Sequence, residues 1–343
     1  MKKSFLLAPL AALIMASCAK EPATDYYVRA TFAEQDNNLM AYIVDYDTND
    51  KIDSAVIDNG IAVFNGNIQK PVLARLLVTG GQRRGNFILE ADSINIENRE
   101  AKGGKLNAIL DDFFAAQNAF EEQYKALPDT ASQEQKDQIV AAEKAAASQF
   151  VAKNSDNPAG YYIFLSEFAY DLTLQQLNDS IAKYPSLDGY KRIADLKTAL
   201  VNKAETGEGA MFKDFEISHG DSIFRLSEHV GKGHYVLVDF WASWCPPCMR
   251  EIEVIRGIHK EFAPKGLEVI GVAVWDKVED TKKAVETKQI PWTIVYDAQK
   301  IPTDIYGISG IPCIILFAPD GKIILRDKYG DDLISGVTAA FNE

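Results

Sequence analysis

Two cysteines that lie close together in the sequence are the residues best suited to chemistry. Cys245 and Cys248 are separated only by two prolines in the stretch FWASWCPPCMRE. The apolar run YVLVDFW before them predicts a buried strand, and the segment CMREIEVIRGIHKEFAPKG predicts an amphipathic helix. Unpaired N–H groups and the positive dipole end of a helix N-terminus favour a thiolate over a thiol. The spacing also lets the two sulfurs close a disulfide across the first turn of that helix.

Three kinds of site contain a Cys-x-x-Cys pair: a redox centre, half of a zinc site, and an inert structural disulfide. A zinc site needs two further ligands, commonly a second cysteine pair or two closely spaced histidines. The chain has no second pair, and its 4 histidines are scattered: His219, His229, His234 and His259. The pattern favours a redox pair, leaves the structural disulfide open, and predicts neither a metal nor another cofactor.

The last third of the chain predicts the elements that must position this pair. After the strand and helix at the cysteines come a strand (LEVIGVAVW), a helix (VEDTKKAVETKQ), a hairpin (CIILFAPDGKIILRD) and a final helix (DLISGVTAAFN). This order is that of an α/β thioredoxin fold, which we predict for residues 206–343.

The motif itself resembles a known family. VLVDFWASWCPPC resembles the active-site strand and turn of thioredoxin-like proteins, and WASWCPPCMREIEVI is most similar to the exported TlpA/ResA type. Gly310-Ile311-Pro312 follows about 65 residues after the cysteines and matches the loop that holds the family's cis-proline. The resemblance implies a thiol–disulfide oxidoreductase that acts on protein disulfides and exchanges electrons with a second, unidentified redox partner.

The resemblance also implies a role for each residue near the cysteines. Cys245, expected to be the more exposed cysteine, would attack a substrate disulfide, and Cys248 would resolve the mixed disulfide. Asp239 stands six residues before Cys245, where the family keeps a buried acid. Glu251 stands three residues after Cys248, where ResA-like proteins carry an acid. Either acid is a candidate proton acceptor for Cys248, although Glu251 also fits a solvated helix position.

Further along the chain, three residues are candidates for substrate contact or modulation. A cis bond before Pro312 would present the backbone of Ile311 to a substrate strand, which could pair with it by β-addition. Trp244 would flank the site, either in contact with substrate or in packing. Cys313 stands where thioredoxins commonly have Thr, and it fits either a small buried hydrophobe or a thiol that modulates the pair.

The first residues predict export. Lys2 and Lys3 precede an apolar run of about a dozen residues, which fits a secretory signal and is shorter than the roughly 20 residues of a membrane-spanning helix. The small residues before Cys18 resemble a bacterial lipobox, so residues 1–18 are interpreted as a lipoprotein signal with Cys18 lipidated. This implies a membrane-anchored protein of the cell envelope that faces the periplasm, and Ala19 favours the outer membrane. A cleaved signal without lipid is the alternative.

Composition and patterning predict several domains in the 343 residues. Segments rich in Val, Ile, Phe and Tyr, broken by turn residues, predict an antiparallel β domain, and three-and-four apolar spacing then predicts helices. Residues 51–71 and 85–96 resemble a β domain of unknown role that precedes thioredoxin-like domains in exported lipoproteins. The predicted order is a tether (19–25), a β domain (26–104), a helical region (105–205) and the thioredoxin-like domain.

Two functional alternatives remain open. The net charge of −13 argues against nucleic acid as a partner, because phosphate binding needs clustered basic residues. A peroxiredoxin-like peroxide reductase is related in fold, but residues 240–248 lack the P-x-x-x-T/S-x-x-C setting of those enzymes. A partner-binding lipoprotein with a scaffold thioredoxin-like domain is the other alternative. The presence of Cys245, Cys248 and Pro312 together argues against an inactive scaffold.

Overall fold

The computed structural model describes residues 24–80, 82–220 and 222–342. The predicted signal peptide and Cys18 lie outside these residues. Within the described ranges, no helix is long and apolar enough to cross a membrane. The chain divides into two compact units between Phe164 and Leu165.

The first unit begins with two four-stranded sheets that enclose one apolar core. Alternate residues of each strand point inward, such as Val28, Ile43, Phe64, Leu76 and Phe87, all of which are buried. The sheet orders are β4-β1-β7-β8 and β3-β2-β5-β6, and every strand pair is antiparallel except β1 with β7. The strands are β1 (Asp25–Thr31), β2 (Met40–Asp45), β3 (Lys51–Val56), β4 (Ile61–Asn67), β5 (Val72–Val78), β6 (Gln82–Leu89), β7 (Ser93–Glu97) and β8 (Glu100–Lys102). The predicted small β domain is therefore confirmed, with one parallel pair added.

Helices follow the β domain and are joined to it by a buried carboxylate. The helices are α1 (Lys105–Lys125), α2 (Gln133–Lys153) and α3 (Pro158–Glu167). Gly104 precedes α1 and has no side chain to cap it, so the N–H groups of Lys105 and Leu106 donate to the Glu90 carboxylate at 3.2 and 2.9 Å. α1 and α2 pack together, with the rings of Phe113 and Phe150 meeting edge to face at 5.5 Å.

The second unit contains two helices and then the predicted thioredoxin-like elements. The helices are α4 (Leu174–Lys183) and α5 (Lys191–Glu205), and a hairpin of β9 (Glu216–His219) and β10 (Ser222–Arg225) follows. The remaining elements are β11 (Tyr235–Trp241), α6 (Pro246–Phe262), β12 (Leu267–Ala273), α7 (Val278–Lys288), β13 (Thr293–Val295), α8 (Ile301–Ile305), β14 (Cys313–Phe317), β15 (Ile323–Arg326) and α9 (Gly330–Asn342). The α/β thioredoxin fold predicted for the C-terminal part is confirmed.

The central strand β11 sets the geometry of the site. The sheet order is β13-β12-β11-β14-β15, with β11 parallel to β12 and antiparallel to β14. Leu237 and Trp241 pack on one face with α6, whereas Val238 and Phe240 pack on the other. Both faces of β11 are therefore covered, which explains its nearly continuous apolar sequence. By the same alternation, Asp239 lies on the α6 face.

Candidate active site

The cysteine pair lies at the point where β11 gives way to α6. Cys245 is the N-cap of α6, and Pro246 and Pro247 occupy the first helical positions. Because the prolines have no N–H, the first backbone donor of the helix is Cys248, whose N–H donates to Cys245 Sγ at 3.2 Å. The two cysteines form a disulfide. The turn therefore directs one backbone N–H and the positive end of the helix dipole at the Cys245 sulfur.

Both cysteines are buried in this disulfide form. Cys245 is 3% exposed and Cys248 is fully buried, so Cys245 is the more exposed of the two, but only by a small margin. The reason is long-range packing, since Ile311 packs against the apolar cluster that contains both cysteines. The Cys245 sulfur lies 3.6 Å from the Ile311 carbonyl oxygen.

The loop before β14 supplies the opposite wall of the site. The Ile311–Pro312 peptide bond is cis. Because β14 is antiparallel to β11, the start of β14 lies at the same end of the sheet as the cysteines. Tyr329 stabilises this loop by donating its hydroxyl hydrogen to the Pro312 carbonyl at 2.9 Å. The fold thus brings Ile311 and Pro312 to Cys245, as the resemblance implies.

Two carboxyl groups lie on the helix side of the site. Asp239 is 1% exposed, and its Oδ1 has no hydrogen-bond partner within the described residues. Burial, and then the negative charge of Glu251, raise the pKa of Asp239 to about 8. Both carboxylate oxygens of Glu251 accept from the Gly330 N–H at 3.2 Å, at the start of α9. Glu251 is therefore anchored rather than free in solvent.

A buried aspartate that the sequence did not identify holds the turn before Cys245. Asp276, which is 7% exposed, accepts hydrogen bonds from the Ser243 N–H at 2.7 Å and the Ser243 hydroxyl at 3.0 Å. Thr281 donates a third hydrogen bond at 2.8 Å. The only signal in the sequence was an acid just after the apolar run of β12. Trp244 donates its indole N–H to the Trp275 carbonyl at 2.9 Å, and the residue is 57% exposed beside the site.

Cys313 lies close to the pair in the sheet but faces away from it. It pairs with Phe240 across the two strands, and its side chain packs with the cluster on the face opposite α6. Burial raises the pKa of the Cys313 thiol well above its usual value, and the nearby Asp327 carboxylate adds to this effect. Cys313 therefore packs in a different apolar cluster from Cys245 and Cys248, and it also lines the cleft beside the cis-proline loop.

A cleft of about 600 Å³ opens beside the cis-proline loop. It is large enough for several side chains of a bound segment. Its walls come from α5, the start of α6, the cis-proline loop and the end of β15. Its lining includes Lys203, Pro247, Arg250, Glu251, Ile311, Pro312, Cys313, Arg326, Asp327 and Tyr329.

Comparison with known proteins agrees with this geometry. Residues 209–326 match the AhpC/TSA family, and residues 26–109 match a domain of unknown function, DUF4369. A disulfide at the end of the central strand of a thioredoxin fold defines the class of thiol–disulfide oxidoreductases. Two relatives within that class are proteins named thiol-disulfide oxidoreductase ResA. The protein from Halalkalibacterium halodurans is 33% identical over 121 residues, which are 35% of this chain and 67% of that protein.

The second relative, ResA from Bacillus subtilis, is 29% identical over 124 residues, which are 36% of this chain and 68% of that protein. The chain belongs to the ResA family of thiol–disulfide oxidoreductases. Among solved structures, the thioredoxin domain of a thiol-disulfide oxidoreductase from Bacteroides vulgatus is 31% identical. It covers 39% of this chain and 96% of its own, with a TM-score of 0.35.

Proposed function

We propose that this thiol–disulfide oxidoreductase is an exported, membrane-anchored enzyme that reduces protein disulfides through Cys245 and Cys248. The observation that supports this best is the position of the Cys245 sulfur. It lies between the Cys248 N–H at 3.2 Å and the Ile311 carbonyl at 3.6 Å, at the N-terminus of α6. An entering disulfide would therefore meet a stabilised thiolate next to a backbone carbonyl that can pair with an extended segment.

The reaction consumes the dithiol form and yields the disulfide form described above. The Cys245 thiolate attacks one sulfur of the substrate disulfide, forms a mixed disulfide and releases the other substrate sulfur as a thiolate. Cys248 then loses its proton and attacks the Cys245 sulfur. The Cys245–Cys248 disulfide forms, and the second substrate thiolate leaves. Two electrons pass from the pair to the substrate, and a separate redox partner with a dithiol must return them.

Asp239 is the proposed proton acceptor for Cys248. With a pKa of about 8, it is populated in both protonation states near neutral pH, as a group that accepts and returns a proton should be. Its unpartnered Oδ1 leaves one oxygen available for that proton. Glu251 has a second role, because its charge raises the Asp239 pKa and it lines the cleft open to solvent. In this proposal, Glu251 exchanges protons between the buried acid and water.

Substrate binding and location complete the proposal. The backbone of Ile311, the cis-Pro312 and the exposed ring of Trp244 form the surface that receives the substrate segment. Lipidation of Cys18 would anchor the enzyme in the cell envelope, facing the periplasm, with the outer membrane favoured. The ResA relatives support the redox chemistry, whereas the anchor rests on the sequence of residues 1–18.

Trapping of the mixed disulfide tests the function. We expect the wild-type protein to reduce insulin disulfides with dithiothreitol as donor, and Cys245→Ser to lose this activity. Cys248→Ser should accumulate a mixed disulfide on Cys245 that mass spectrometry can locate. Cys313→Ser is the matched control and should keep the wild-type rate within about twofold, because Cys313 is buried in an apolar cluster that does not contain Cys245 or Cys248.

Two outcomes would contradict the proposal. Equal inactivity of wild type and Cys245→Ser would favour the scaffold alternative. Consumption of hydrogen peroxide without insulin reduction would favour a peroxide reductase, the alternative that the AhpC/TSA match makes worth measuring.

A further inference from the structure

The cleft beside the cis-proline loop has an unusual charge for this protein. It is lined by three basic side chains, Lys203, Arg250 and Arg326, and by two acidic ones, Glu251 and Asp327. The chain as a whole carries a net charge of −13. The cleft is therefore locally positive on an acidic molecule, and local charge of this kind selects binding partners.

Most of these charges already have partners inside the protein. The Arg326 guanidinium donates to the Thr206 and Tyr306 carbonyl oxygens at 2.8 and 2.6 Å. Lys203 pairs with Asp327 at 3.0 Å. The Glu251 carboxylate accepts from the backbone at the start of α9. None of these groups is available to a ligand without first losing an internal contact.

Arg250 is the exception. It is exposed, lies two residues after Cys248 in the first turns of α6, and lines the cleft. It makes no ion pair with any residue in the part of the chain that the structure describes. A guanidinium in this state can bind a carboxylate through two parallel hydrogen bonds without breaking an existing contact.

The position of Arg250 relates it to the substrate of the redox reaction. A segment joined to Cys245 by a mixed disulfide would lie next to Ile311, whose carbonyl oxygen is 3.6 Å from the Cys245 sulfur, and both Ile311 and Pro247 line the cleft. Side chains within one or two residues of the substrate cysteine are therefore carried into the cleft, because an extended chain rises about 3.3 Å per residue.

We propose that the cleft selects substrate segments that carry an acidic side chain close to the reactive cysteine, and that Arg250 recognises this side chain. The inference rests on the proposed function, since it names the class of disulfide on which Cys245 acts. An exposed ion pair contributes up to about fivefold in affinity, and salt screens it. The preference is thus expected to be modest at low salt and to disappear at high salt.

Peptides that differ in one charge test this proposal. Each peptide contains a single cysteine in a disulfide with 2-thiopyridine, and a Glu, Gln or Lys is placed at each position from two residues before it to two residues after it. The probe protein is the full chain with Cys248→Ser. Attack by the Cys245 thiolate on the peptide sulfur forms the mixed disulfide and releases pyridine-2-thione, whose absorbance gives the rate constant.

We expect Glu peptides to react faster than Gln peptides, and Gln faster than Lys, at one or more of these positions. The Glu-to-Lys ratio should be about fivefold at low salt and below about twofold in 1 M NaCl. Arg250→Glu should reverse the order. Lys260→Glu makes the same charge change in the last turn of α6 and should leave the order intact. Because the rate constants of two peptides are compared as a ratio within one variant, any change in the reactivity of Cys245 cancels.

The outcomes separate the two proposals. Equal rates for Glu, Gln and Lys peptides, or an order that survives Arg250→Glu, would overturn the selectivity. A failure of every peptide to form a mixed disulfide with Cys248→Ser would overturn the proposed function itself, and the selectivity with it.

Discussion

At the scale of single residues, Asp239 shows how burial serves chemistry at a cost in stability. Its pKa is raised to about 8 in the folded protein, chiefly by burial, whereas an Asp in an unfolded chain has a pKa of about 3.9. Between these values the folded state binds a proton that the unfolded state has released. The contribution of Asp239 to the free energy of unfolding is therefore fully present below about pH 4, and it is lost as the pH rises through about 8.

Replacement of Asp239 should consequently stabilise the protein while it slows the reaction. We expect Asp239→Asn to raise the free energy of unfolding by about 2–4 kcal/mol at pH 8, and by less than about 1 kcal/mol at pH 4. The step in which Cys248 resolves the mixed disulfide should slow by about 100-fold. Urea unfolding of the disulfide form at both pH values, and single-turnover kinetics of the dithiol form, measure these effects.

Asp276→Asn is the matched control, because its carboxylate accepts hydrogen bonds from Ser243 and Thr281 rather than lacking them. This change should lower the free energy of unfolding at both pH values by about 1–3 kcal/mol. A wild-type-like stability of Asp239→Asn at pH 8 would mean that the buried carboxyl does not carry a raised pKa.

At the scale of elements, the most important contact is the close packing of α5 against the loop before the cis-proline. Gly307 has a φ of +59°, and a Cβ added there would lie 2.0 Å from the Ala199 carbonyl oxygen and 2.4 Å from the Lys203 nitrogen. The side chain of Asn202 also donates to the Asp304 carbonyl at 2.8 Å. A helix that sequence patterning assigns to a separate region therefore supports the loop that carries Ile311 and Pro312.

Gly307→Ala tests the importance of this contact. A Cβ cannot be placed without moving α5, and the left-handed backbone adds strain. We therefore expect the free energy of unfolding to fall by about 2–4 kcal/mol. Gly257→Ala is the control, since Gly257 is an exposed helix position with open space around its Cα, and Ala should raise stability by up to about 1 kcal/mol. Equal stability of Gly307→Ala and wild type in urea would show that α5 does not pack closely against the loop.

At the scale of the whole molecule, local sequence patterns were enough to predict the helices and strands. Features that depend on long-range packing could not be predicted in this way. The cysteine turn and the Gly310-Ile311-Pro312 loop were readable because each is a short motif of distinctive residues. Cys313 differed, because its direction depends on the register of β14 against β11, which sequence spacing does not reveal. The contact of Asp276 with Ser243 and the burial of Cys245 likewise depend on residues 33 and 66 positions away.

Long-range packing also determines where the C-terminal unit begins. The sequence predicts a boundary at residue 206, whereas the structure divides at Leu165 and includes α4 and α5 with the thioredoxin-like elements. The buried guanidinium of Arg326 donates to the Thr206 carbonyl, and Lys203 pairs with Asp327. We propose that α5 is part of the folding unit. A fragment of residues 206–343 would lose the Lys203–Asp327 pair and expose the surface on which α5 packs.

Thermal unfolding of two fragments measures this difference. We expect residues 165–343 to unfold cooperatively and to reduce insulin as the full chain does. The fragment 206–343 should unfold at a temperature lower by about 10 °C, because a loss of about 2–4 kcal/mol shifts the Tm of a domain this size by that order. Adding Gly307→Ala discriminates further, since it should lower the Tm of 165–343 by a larger amount than that of 206–343, where α5 is absent. Equal Tm values for the two unmodified fragments would place the folding boundary at residue 206 and leave α5 as a peripheral helix.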